Sequence, residues 1–322
     1  GSGSLLLRVG TEANSKVSLF GQEKESATAG LARMNMILHD NPTAEIKQGN
    51  TLVRPLFEEN GNLKTFDFVV ANPPFSDKRW SNGMNLPDDE PYNRFRDYGL
   101  PPSKNGDYAY LLHIIRSLKR NGKGTCILPH GVLFRGNAEA EIRKNLVRKG
   151  YIKGIIGLPA NLFFGTGIPA CIIVVDKENA HNRKGIFMVN AGKGFIKDGN
   201  KNRLQEQDIH KIADVFNKQI ESAGYSRMVS YAEIEQNDYN LNIPRYIDNQ
   251  DKEDIQDIEA HLLGGIPNVD IDDLDNYWEV YPNLRGTLFE PNNRPGYSDL
   301  KIEKEQIKEV IFTHDEFVAF RK

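Results

Sequence analysis

The sequence predicts a doubly wound α/β domain, in which a mostly parallel sheet carries helices on both faces and ends in an antiparallel hairpin. Short apolar runs alternate with stretches of helical periodicity over residues 1–248. The run at 152–158 is joined to the run at 170–175 by a short glycine-rich connection, which favours antiparallel pairing. Residues 249–322 lack this alternation and predict a mainly helical C-terminal extension.

The composition is that of an ordinary globular chain, and the length suggests about two domains. The 322 residues include 41 Lys and Arg against 44 Asp and Glu, a formal net charge of -3, and 39% are apolar. These values exclude a wholly disordered or collagen-like chain. Because the whole chain does not attract a polyanion, a nucleic-acid partner must meet a local basic patch or another subunit.

The individual elements follow from apolar periodicity and from the turn residues between them. For example, Ala27, Leu31, Met34 and Leu38 recur at helical spacing, and Asp40-Asn41-Pro42 ends the pattern. The expected strands are 16–23, 44–48, 66–70, 125–128, 152–158, 170–175 and 185–189. The expected helices are 27–38, 108–118 (ended by Asn121-Gly122), 137–149 and 207–220.

Polar residues follow the first three predicted strands at the point where each strand ends. Glu23 ends the first strand, Asn50 follows the second, and Asn72-Pro73-Pro74-Phe75 follows the third. In open α/β sheets, ligands bind beyond the carboxyl ends of the strands. The sequence therefore predicts one site at this edge of the sheet.

The Asn-Pro-Pro-Phe turn suits chemistry on the exocyclic amine of a planar base. The lone pair of such an amine is delocalised into the ring, so attack on a methyl sulfonium requires the nitrogen to pyramidalise. The Asn72 side-chain oxygen and the Pro73 carbonyl oxygen are suited to accept its two hydrogens, Pro73 and Pro74 make the turn rigid, and Phe75 offers a face for stacking. A base in a duplex must be extruded for this chemistry. The alternative is an ordinary turn.

A glycine turn at the start of the chain predicts a nucleotide-like cofactor. Gly1-Ser2-Gly3 fits a loop whose backbone approaches a ligand, and Glu23, about twenty residues on, is placed to bind ribose hydroxyls. The third glycine of the dinucleotide fingerprint is missing, because Leu6 occupies its place. With Asn-Pro-Pro-Phe downstream, S-adenosylmethionine is favoured over NAD.

Two asparagines complete the expected cofactor site. Asn50 is placed to hydrogen-bond the adenine of the cofactor, with a role as a turn residue as the alternative. Asn72 is expected to lie beside the cofactor as well as beside the substrate amine. The set expected to bind S-adenosylmethionine is Gly1, Ser2, Gly3, Glu23, Asn50 and Asn72.

These motifs, in this order, resemble the modification (methylation) subunit of type I restriction-modification systems, an N6-adenine DNA methyltransferase family. The resemblance covers nearly the first 250 residues. It implies a Rossmann-like, class I S-adenosylmethionine-dependent methyltransferase domain over 1–248 and direct methyl transfer to adenine N6 in DNA. The matching segments are Gly1–Leu6, Leu19–Glu23, Leu31–Asn35, Asn72–Phe75, Ile127–Phe134, Leu158–Val175 and Asp238–Tyr246.

The resemblance also implies partners and further site residues. The partners are DNA, a specificity subunit that reads the DNA sequence and a second modification subunit, with a nuclease or translocase subunit as a further candidate. Phe163 and Phe164 resemble the place where related enzymes present an aromatic ring to the extruded base, with core packing as the alternative. In the family, an acidic-Pro-x-Cys segment and a large helical domain precede the glycine turn. We therefore expect this chain to begin inside its cofactor loop and to be inactive alone.

A polar segment between residues 76 and 105 is expected to lie near DNA and to order on binding. A loop of this length is either functional or mobile. Its arginines would meet phosphates, and its aromatic residues would fill or flank the space left by the extruded base. The alternative is a surface loop with a few buried rings. The aromatic residues are Trp80, Tyr92, Phe95 and Tyr98, interleaved with Lys78, Arg79, Arg94 and Arg96.

Two other functions remain open from the sequence. Methylation of a protein glutamine amide at N5 poses the same lone-pair problem, although such enzymes typically carry Tyr after Asn-Pro-Pro. The fragment could also be a non-catalytic assembly module. Residues 249–322 are expected to dock on the specificity subunit, with packing on the catalytic domain as the alternative. Their apolar faces are Ile255, Ile258 and Leu262 on one side and Ile307, Val310 and Ile311 on another.

The remaining features predict neither a metal site nor a membrane-spanning segment. Cys126 and Cys171 lie in apolar runs and predict buried thiols, which suggests a reducing, cytoplasmic location. His130 has no nucleophilic side chain as a partner, which argues against a catalytic triad. The acidic residues over 270–275 lack the glycine of a calcium-binding loop, which argues against a calcium site. The apolar stretch 154–175 is interrupted by Pro and Gly, so it predicts strand, turn and strand rather than a membrane span.

Overall fold

The computed structural model describes residues 1–13, 15–84, 86, 90–248 and 257–321. All structural statements concern these residues. The chain separates into two units, residues 1–249 and residues 250–322. Each unit has its own hydrophobic core.

Strands and helices alternate through the first unit, and every strand and helix expected there overlaps an observed element. The strands are β1 (Phe20–Glu23), β2 (Glu45–Gln48), β3 (Glu58–Glu59), β4 (Asn62–Leu63), β5 (Phe66–Ala71), β6 (Leu118–Pro129), β7 (Ile152–Gly157), β8 (Ala170–Asp176), β9 (Gly185–Asn190), β10 (Ile196–Asp198), β11 (Lys201–Arg203) and β12 (Ser226–Ser230). The helices are α1 (Ser4–Glu12), α2 (Ser26–Leu38), α3 (Asp107–Arg116), α4 (Ala138–Arg148), α5 (Glu206–Lys218) and α6 (Tyr231–Gln236).

The central sheet has the strand order β12-β9-β7-β8-β6-β5. Strands β5, β6, β7 and β9 share one direction, while β8 and β12 run against their neighbours. The hairpin of β7 and β8 confirms the expected antiparallel hairpin. Because β8 lies between β6 and β7, the sheet is mixed, although most of its strands are co-directional. The α/β fold class is therefore confirmed.

Strands β1 and β2 form a separate parallel pair. In the described part of the chain, no hydrogen-bond ladder joins β1 to β5. The two strands approach through the rings of Phe20 and Phe66, whose centroids are 5.4 Å apart. The pair packs with α1 and α2 around a small core that contains Leu19, Met36 and Ile46.

Helix α2 buries the face opposite to the apolar stripe that predicts it. Ala29, Ala32 and Met36 are buried. In contrast, Leu31, Met34 and Leu38 are 51%, 53% and 76% exposed. The periodicity therefore predicts the helix correctly but not its buried side, because two small alanines let the helix approach the β1–β2 pair closely.

The end of α3 differs from the expectation. The helix stops at Arg116, and Asn121-Gly122, expected to end it, lies inside β6. The pairing of β5 with β6 shifts register between Phe66 and Phe68. This β-bulge accommodates the turn-like dipeptide within a strand.

The segment 76–105 is anchored in the core by its aromatic residues. Trp80, Phe95 and Tyr98 are buried. The indole N–H of Trp80 donates to the carbonyl of Pro102 at 2.9 Å. The expectation that these three rings flank an extruded base is therefore wrong, since their side chains fill the interior of the protein.

Arg94 is also unavailable to DNA. Its side chain is buried, and Nε donates to Glu90 Oε1 at 2.7 Å. Its Nη1 donates to the carbonyl of Leu52 at 2.9 Å. The expected contact with a DNA phosphate is wrong for Arg94, because its buried side chain uses these hydrogen bonds to hold the loop in place. Arg79 and Arg96 remain exposed.

The two cysteines are free and fully buried, which confirms the expectation of core thiols. Burial raises the pKa of Cys126 and Cys171. Both thiols therefore stay protonated near neutral pH and lack the thiolate form that a nucleophile requires.

The second unit is mainly helical, as predicted, with a small sheet of order β13-β15-β14. Its helices are α7 (Ile258–Leu263), α8 (Asn268–Asp272), α9 (Asp275–Val280), α10 (Leu284–Leu288), α11 (Ile307–Thr313) and α12 (Asp315–Phe320), and its strands are β13 (Ile266–Pro267), β14 (Phe289–Pro291) and β15 (Tyr297–Leu300).

The two apolar faces predicted for the second unit differ in their burial. Val310 and Ile311 pack against a core of Tyr281, Leu284 and Leu288. Ile258 and Leu262 are exposed, and Ile255 lies outside the described residues. One of the two predicted faces is therefore not covered by the described residues of its own unit.

Candidate active site

The co-directional strands bring several chain segments to one edge of the sheet. Ala71 of β5 pairs with Cys126 of β6, Pro129 pairs with Ala170 at the start of β8, and Gly157 ends β7 opposite Cys171. The segments that leave the sheet here are Asn72–Phe75, His130–Leu133 and the loop 158–169. Strands β1 and β2 form a separate pair, so these pairings do not test whether Glu23 and Asn50 meet Asn72 at this edge, and that clustering stays a prediction.

Asn72 leaves β5 with its side chain exposed. Among the described residues, its side chain makes no hydrogen bond. Pro73 and Pro74 have no N–H, so the turn cannot be closed by their own backbone donors. The side-chain oxygen of Asn72 is therefore available to a ligand at the sheet edge.

The turn ends at Ser76, which has a φ of 52° in the left-handed region. The backbone N–H of Ser76 donates to Oδ1 of Asp107 at 2.6 Å. Asp107 opens helix α3 and has an exposed fraction of 0%. A carboxylate at a helix N-terminus is stabilised by the free N–H groups there.

Asp107 belongs to a charged cluster with two buried carboxylates, Asp107 and Glu139, and a partly exposed Arg135. Nη1 of Arg135 donates to Oδ2 of Asp107 at 2.8 Å and to Oε1 of Glu139 at 3.2 Å. Burial raises the pKa of Glu139, and Arg135 opposes the rise. A Cβ on Gly131 would lie 2.5 Å from Nε of Arg135, so glycine there lets the guanidinium lie against the backbone.

The two phenylalanines of the loop 158–169 have different environments. The ring of Phe163 meets that of Phe75 edge to face, with centroids 5.8 Å apart. Phe164 is 94% exposed. The structure therefore brings Phe75 and Phe163 together and leaves Phe164 projecting from the sheet edge.

This loop is held by the hairpin of β10 and β11. Nζ of Lys201 donates to the carbonyls of Phe163 at 2.7 Å and Thr166 at 2.9 Å. Nδ2 of Asn202 donates to the carbonyl of Ala160 at 2.7 Å. The backbone N–H of Asn202 also donates to the carbonyl of Asn161 at 3.0 Å, so four hydrogen bonds hold the loop that carries the aromatic residues.

The glycine turn lies beside Glu23. Gly3 has a φ of +87°, and a Cβ there would lie 2.8 Å from Cε of Met36. Nδ2 of Asn35 donates to the carbonyl of Ser2 at 2.9 Å. The backbone nitrogen of Gly1 lies beside Oε2 of Glu23. The expected residues Gly1, Ser2, Gly3 and Glu23 are therefore neighbours.

Asn50 acts as a turn residue, the alternative left open by its sequence. Its Oδ1 accepts from the N–H of Leu52 at 3.0 Å and of Val53 at 3.3 Å. The side-chain oxygen is therefore engaged in the turn, and a contact with adenine through the Asn50 amide N–H stays a prediction.

His130 follows β6 with Nε2 buried and without a hydrogen-bond partner. Burial lowers the pKa of His130, so the ring is neutral near pH 7.

No group of three or more His, Cys, Asp and Glu in the part of the chain that the structure describes is arranged to hold a metal ion. No helix in that part is long and apolar enough to cross a membrane.

Sequence reasoning missed the residues that support the site, namely Asp107, Arg135, Lys201 and Asn202. Their partners lie about thirty to forty residues away along the chain, as with Ser76 and Asp107 at a separation of 31. One local signal existed: Gly106-Asp107 precedes an apolar helical pattern as a helix start. Nothing local indicates which loop such a carboxylate binds.

The family match and the relatives found by comparison with known proteins agree with one another. Residues 1–255 match the family described as N-6 DNA Methylase. The type I restriction enzyme MpnII methylase subunit of Mycoplasma pneumoniae is 35% identical over 273 residues, which cover 81% of this chain and 49% of the relative. The MjaVIII methylase subunit of Methanocaldococcus jannaschii is 33% identical over 306 residues, which cover 91% of this chain and 51% of the relative.

A solved structure agrees with these relatives. The type I restriction-modification system methyltransferase subunit from Streptococcus thermophilus has a TM-score of 0.70 and 42% identity, covering 77% of this chain and 53% of that chain. A modification subunit of a putative type I restriction enzyme from Vibrio vulnificus, at 22% identity and a TM-score of 0.57, shares the fold. The chain spans about half the length of the curated relatives it matches.

Proposed function

This chain belongs to the N-6 DNA methylase family, and from that premise we propose that the complete protein transfers a methyl group from S-adenosylmethionine to adenine N6 in DNA. It would do so as the modification subunit of a type I restriction-modification complex. The observation that carries the proposal is the Asn72–Phe75 turn. The turn follows β5 with the Asn72 side chain exposed and without a hydrogen bond in the described chain.

The chemistry follows from the atoms of this turn. Oδ1 of Asn72 and the carbonyl oxygen of Pro73 accept the two N–H bonds of the adenine amine. These contacts draw electron density onto the nitrogen and turn its lone pair out of the ring plane. Phe75 stacks on the extruded base, and its ring is braced by Phe163. Catalysis then rests on alignment and preorganised acceptors.

The residues at the glycine turn fit S-adenosylmethionine. Gly3 has a φ of +87°, a backbone conformation that residues with a side chain rarely adopt, and Glu23 places a carboxylate beside the turn. Glu23 would accept from the ribose hydroxyls, and the backbone of residues 1–3 would approach the amino-acid end. When bound, the cofactor supplies an electrophilic methyl group on a sulfonium. The nitrogen displaces the neutral thioether, and the proton it then carries is lost to water.

Removing the Glu23 carboxylate should weaken cofactor binding. We expect Glu23→Ala to raise the Kd for S-adenosylmethionine at least about tenfold, because a hydrogen bond to a charged group contributes roughly 1.5–3 kcal/mol. Titration calorimetry on the complete protein measures this change in Kd. Glu25→Ala, which removes an exposed carboxylate two residues on, is the control. Equal weakening by both changes would contradict the ribose contact.

The proposed partners come from the relatives, which are methylase subunits of type I restriction enzymes. We propose DNA, a specificity subunit and a second modification subunit as partners, with a nuclease or translocase subunit as a further candidate. The region 249–322 is proposed to assemble with the specificity subunit, supported by the exposed Ile258 and Leu262 of α7. A cytoplasmic location stays a prediction.

Labelled methyl transfer tests the function directly. The complete protein, assembled with its specificity subunit, should incorporate label from S-adenosylmethionine into DNA as N6-methyladenine. Nucleoside analysis of the digested DNA measures the product. Label in protein glutamine instead of DNA would overturn the proposal in favour of N5-glutamine methylation. Absence of label in either would favour an assembly module.

A further inference from the structure

The turn that carries Asn72 depends on a carboxylate from another element. Pro73 and Pro74 provide no N–H, and the N–H of Ser76 donates to Oδ1 of Asp107. Ser76 holds a left-handed conformation, which a serine keeps only where surrounding contacts enforce it. The position of the end of the turn is therefore set by Asp107.

Asp107 is fixed on its other side by Arg135. Oδ2 accepts from Nη1 of Arg135 at 2.8 Å, and the carboxylate is fully buried. A buried carboxylate requires such a partner to offset the loss of hydration. Since Arg135 follows β6 and Ser76 follows β5, the pair ties two neighbouring strand ends together.

We propose that Asp107 is a positioning residue for methyl transfer, acting through Ser76 on the Asn72–Phe75 turn. The inference rests on the proposed function, because it takes Asn72 and Pro73 as the acceptors for the target amine. In that role Asp107 contacts neither the base nor the cofactor. It sets where the two acceptor oxygens lie, and a small displacement of aligned groups is enough to slow a reaction.

A second anchor makes the inference testable without unfolding the loop. The N–H of Gly106 donates to the carbonyl of Asp77 at 3.0 Å, and the hydroxyl of Tyr110 donates to Oδ2 of Asp77 at 3.3 Å. Neither bond uses the Asp107 side chain. Changing Asp107 is therefore expected to shift the turn while the following residues stay attached to α3.

The experiment uses Asp107→Ala and Asp107→Asn in the complete protein assembled with its specificity subunit. We expect kcat for adenine methylation to fall roughly 100-fold for Asp107→Ala. Asp107→Asn keeps an oxygen for Ser76 but turns an N–H toward Arg135, so its kcat should be intermediate. The Kd for S-adenosylmethionine and the KM for DNA should be unchanged. The fluorescence of 2-aminopurine at the target position should still rise on binding, because base extrusion does not need the aligned acceptors.

The matched control is Asp176→Asn, which alters another buried carboxylate. Asp176 ends β8 at the opposite edge of the sheet and lies 3.7 Å from Nζ of Lys153. The substitution Asp176→Asn should leave kcat for adenine methylation unchanged. An equal loss of kcat in this control, or a parallel loss of cofactor affinity in Asp107→Ala, would mean that Asp107 is merely structural and would overturn the inference.

Asn72→Ala, measured alongside, separates the two proposals. If Asn72→Ala is inactive and Asp107→Ala has normal kcat, the positioning role is overturned while the proposed function stands. If Asn72→Ala is fully active, the proposed function fails, and the inference that rests on it fails as well.

Discussion

Asn72→Ala in the complete protein should reduce kcat for adenine methylation by roughly 100- to 1,000-fold, the usual cost of removing one preorganised group from a reaction site. The side chain is exposed at the end of β5 and makes no hydrogen bond in the described chain. Its loss therefore removes an acceptor for the amine without breaking a contact of the fold. Initial rates of labelled methyl incorporation into DNA at saturating cofactor measure the effect.

Two measurements distinguish this effect from general damage. Asn72 is only one of six residues expected to bind S-adenosylmethionine, so Asn72→Ala should leave cofactor binding largely intact, and its melting temperature should match that of the unmodified protein. Asn72→Asp keeps an oxygen acceptor at the same position, so it should retain more activity than Asn72→Ala. If both variants lose the same activity, the side-chain amide rather than its oxygen is required, and the acceptor role is wrong.

Trp80→Ala should have the largest effect on stability, lowering the free energy of unfolding by about 3–5 kcal/mol. Trp80 is 1% exposed, and its ring lies 5.8 Å from that of Phe95. A Cβ on Gly106 would lie 2.7 Å from Cβ of Trp80, so the backbone before α3 is packed on this side chain. Urea unfolding followed by circular dichroism should show a lower midpoint with an unchanged slope.

Phe164→Ala is the matched control, because it removes an aromatic ring that is 94% exposed. It should change the free energy of unfolding by less than about 0.5 kcal/mol, as is usual for surface positions. Equal destabilisation by the two changes would show that the segment 76–105 is not anchored by Trp80. Limited proteolysis should also cut this segment faster in Trp80→Ala.

The elements and the Asn72–Phe75 turn were predictable from the sequence because their signals are local. An apolar run followed by Asn-Pro-Pro marks a strand and a rigid turn wherever it occurs. The position of Glu23 at the end of β1 follows in the same way. These features depend on neighbouring residues, and the sequence contains all of them.

Burial was less predictable, as α2 and the segment 76–105 show. The stripe of Leu31, Met34 and Leu38 marks the helix, yet the face with Ala29 and Ala32 is buried. The polar composition of 76–105 predicts a loop near DNA, yet Trp80 lies in the core. Which face is covered depends on what packs against it, and that partner is distant in the chain.

The sequence by itself determined the order of the seven expected strands and four expected helices, the α/β class and the Asn-Pro-Pro-Phe turn at the end of β5. Only the tertiary structure decided that β8 lies between β6 and β7, that Phe163 meets Phe75, and that Asp107 holds Ser76. The reason is physical. Propensity and turn chemistry act over a few residues, whereas strand pairing and buried hydrogen bonds join residues separated by tens of positions, and only the folded chain brings them together.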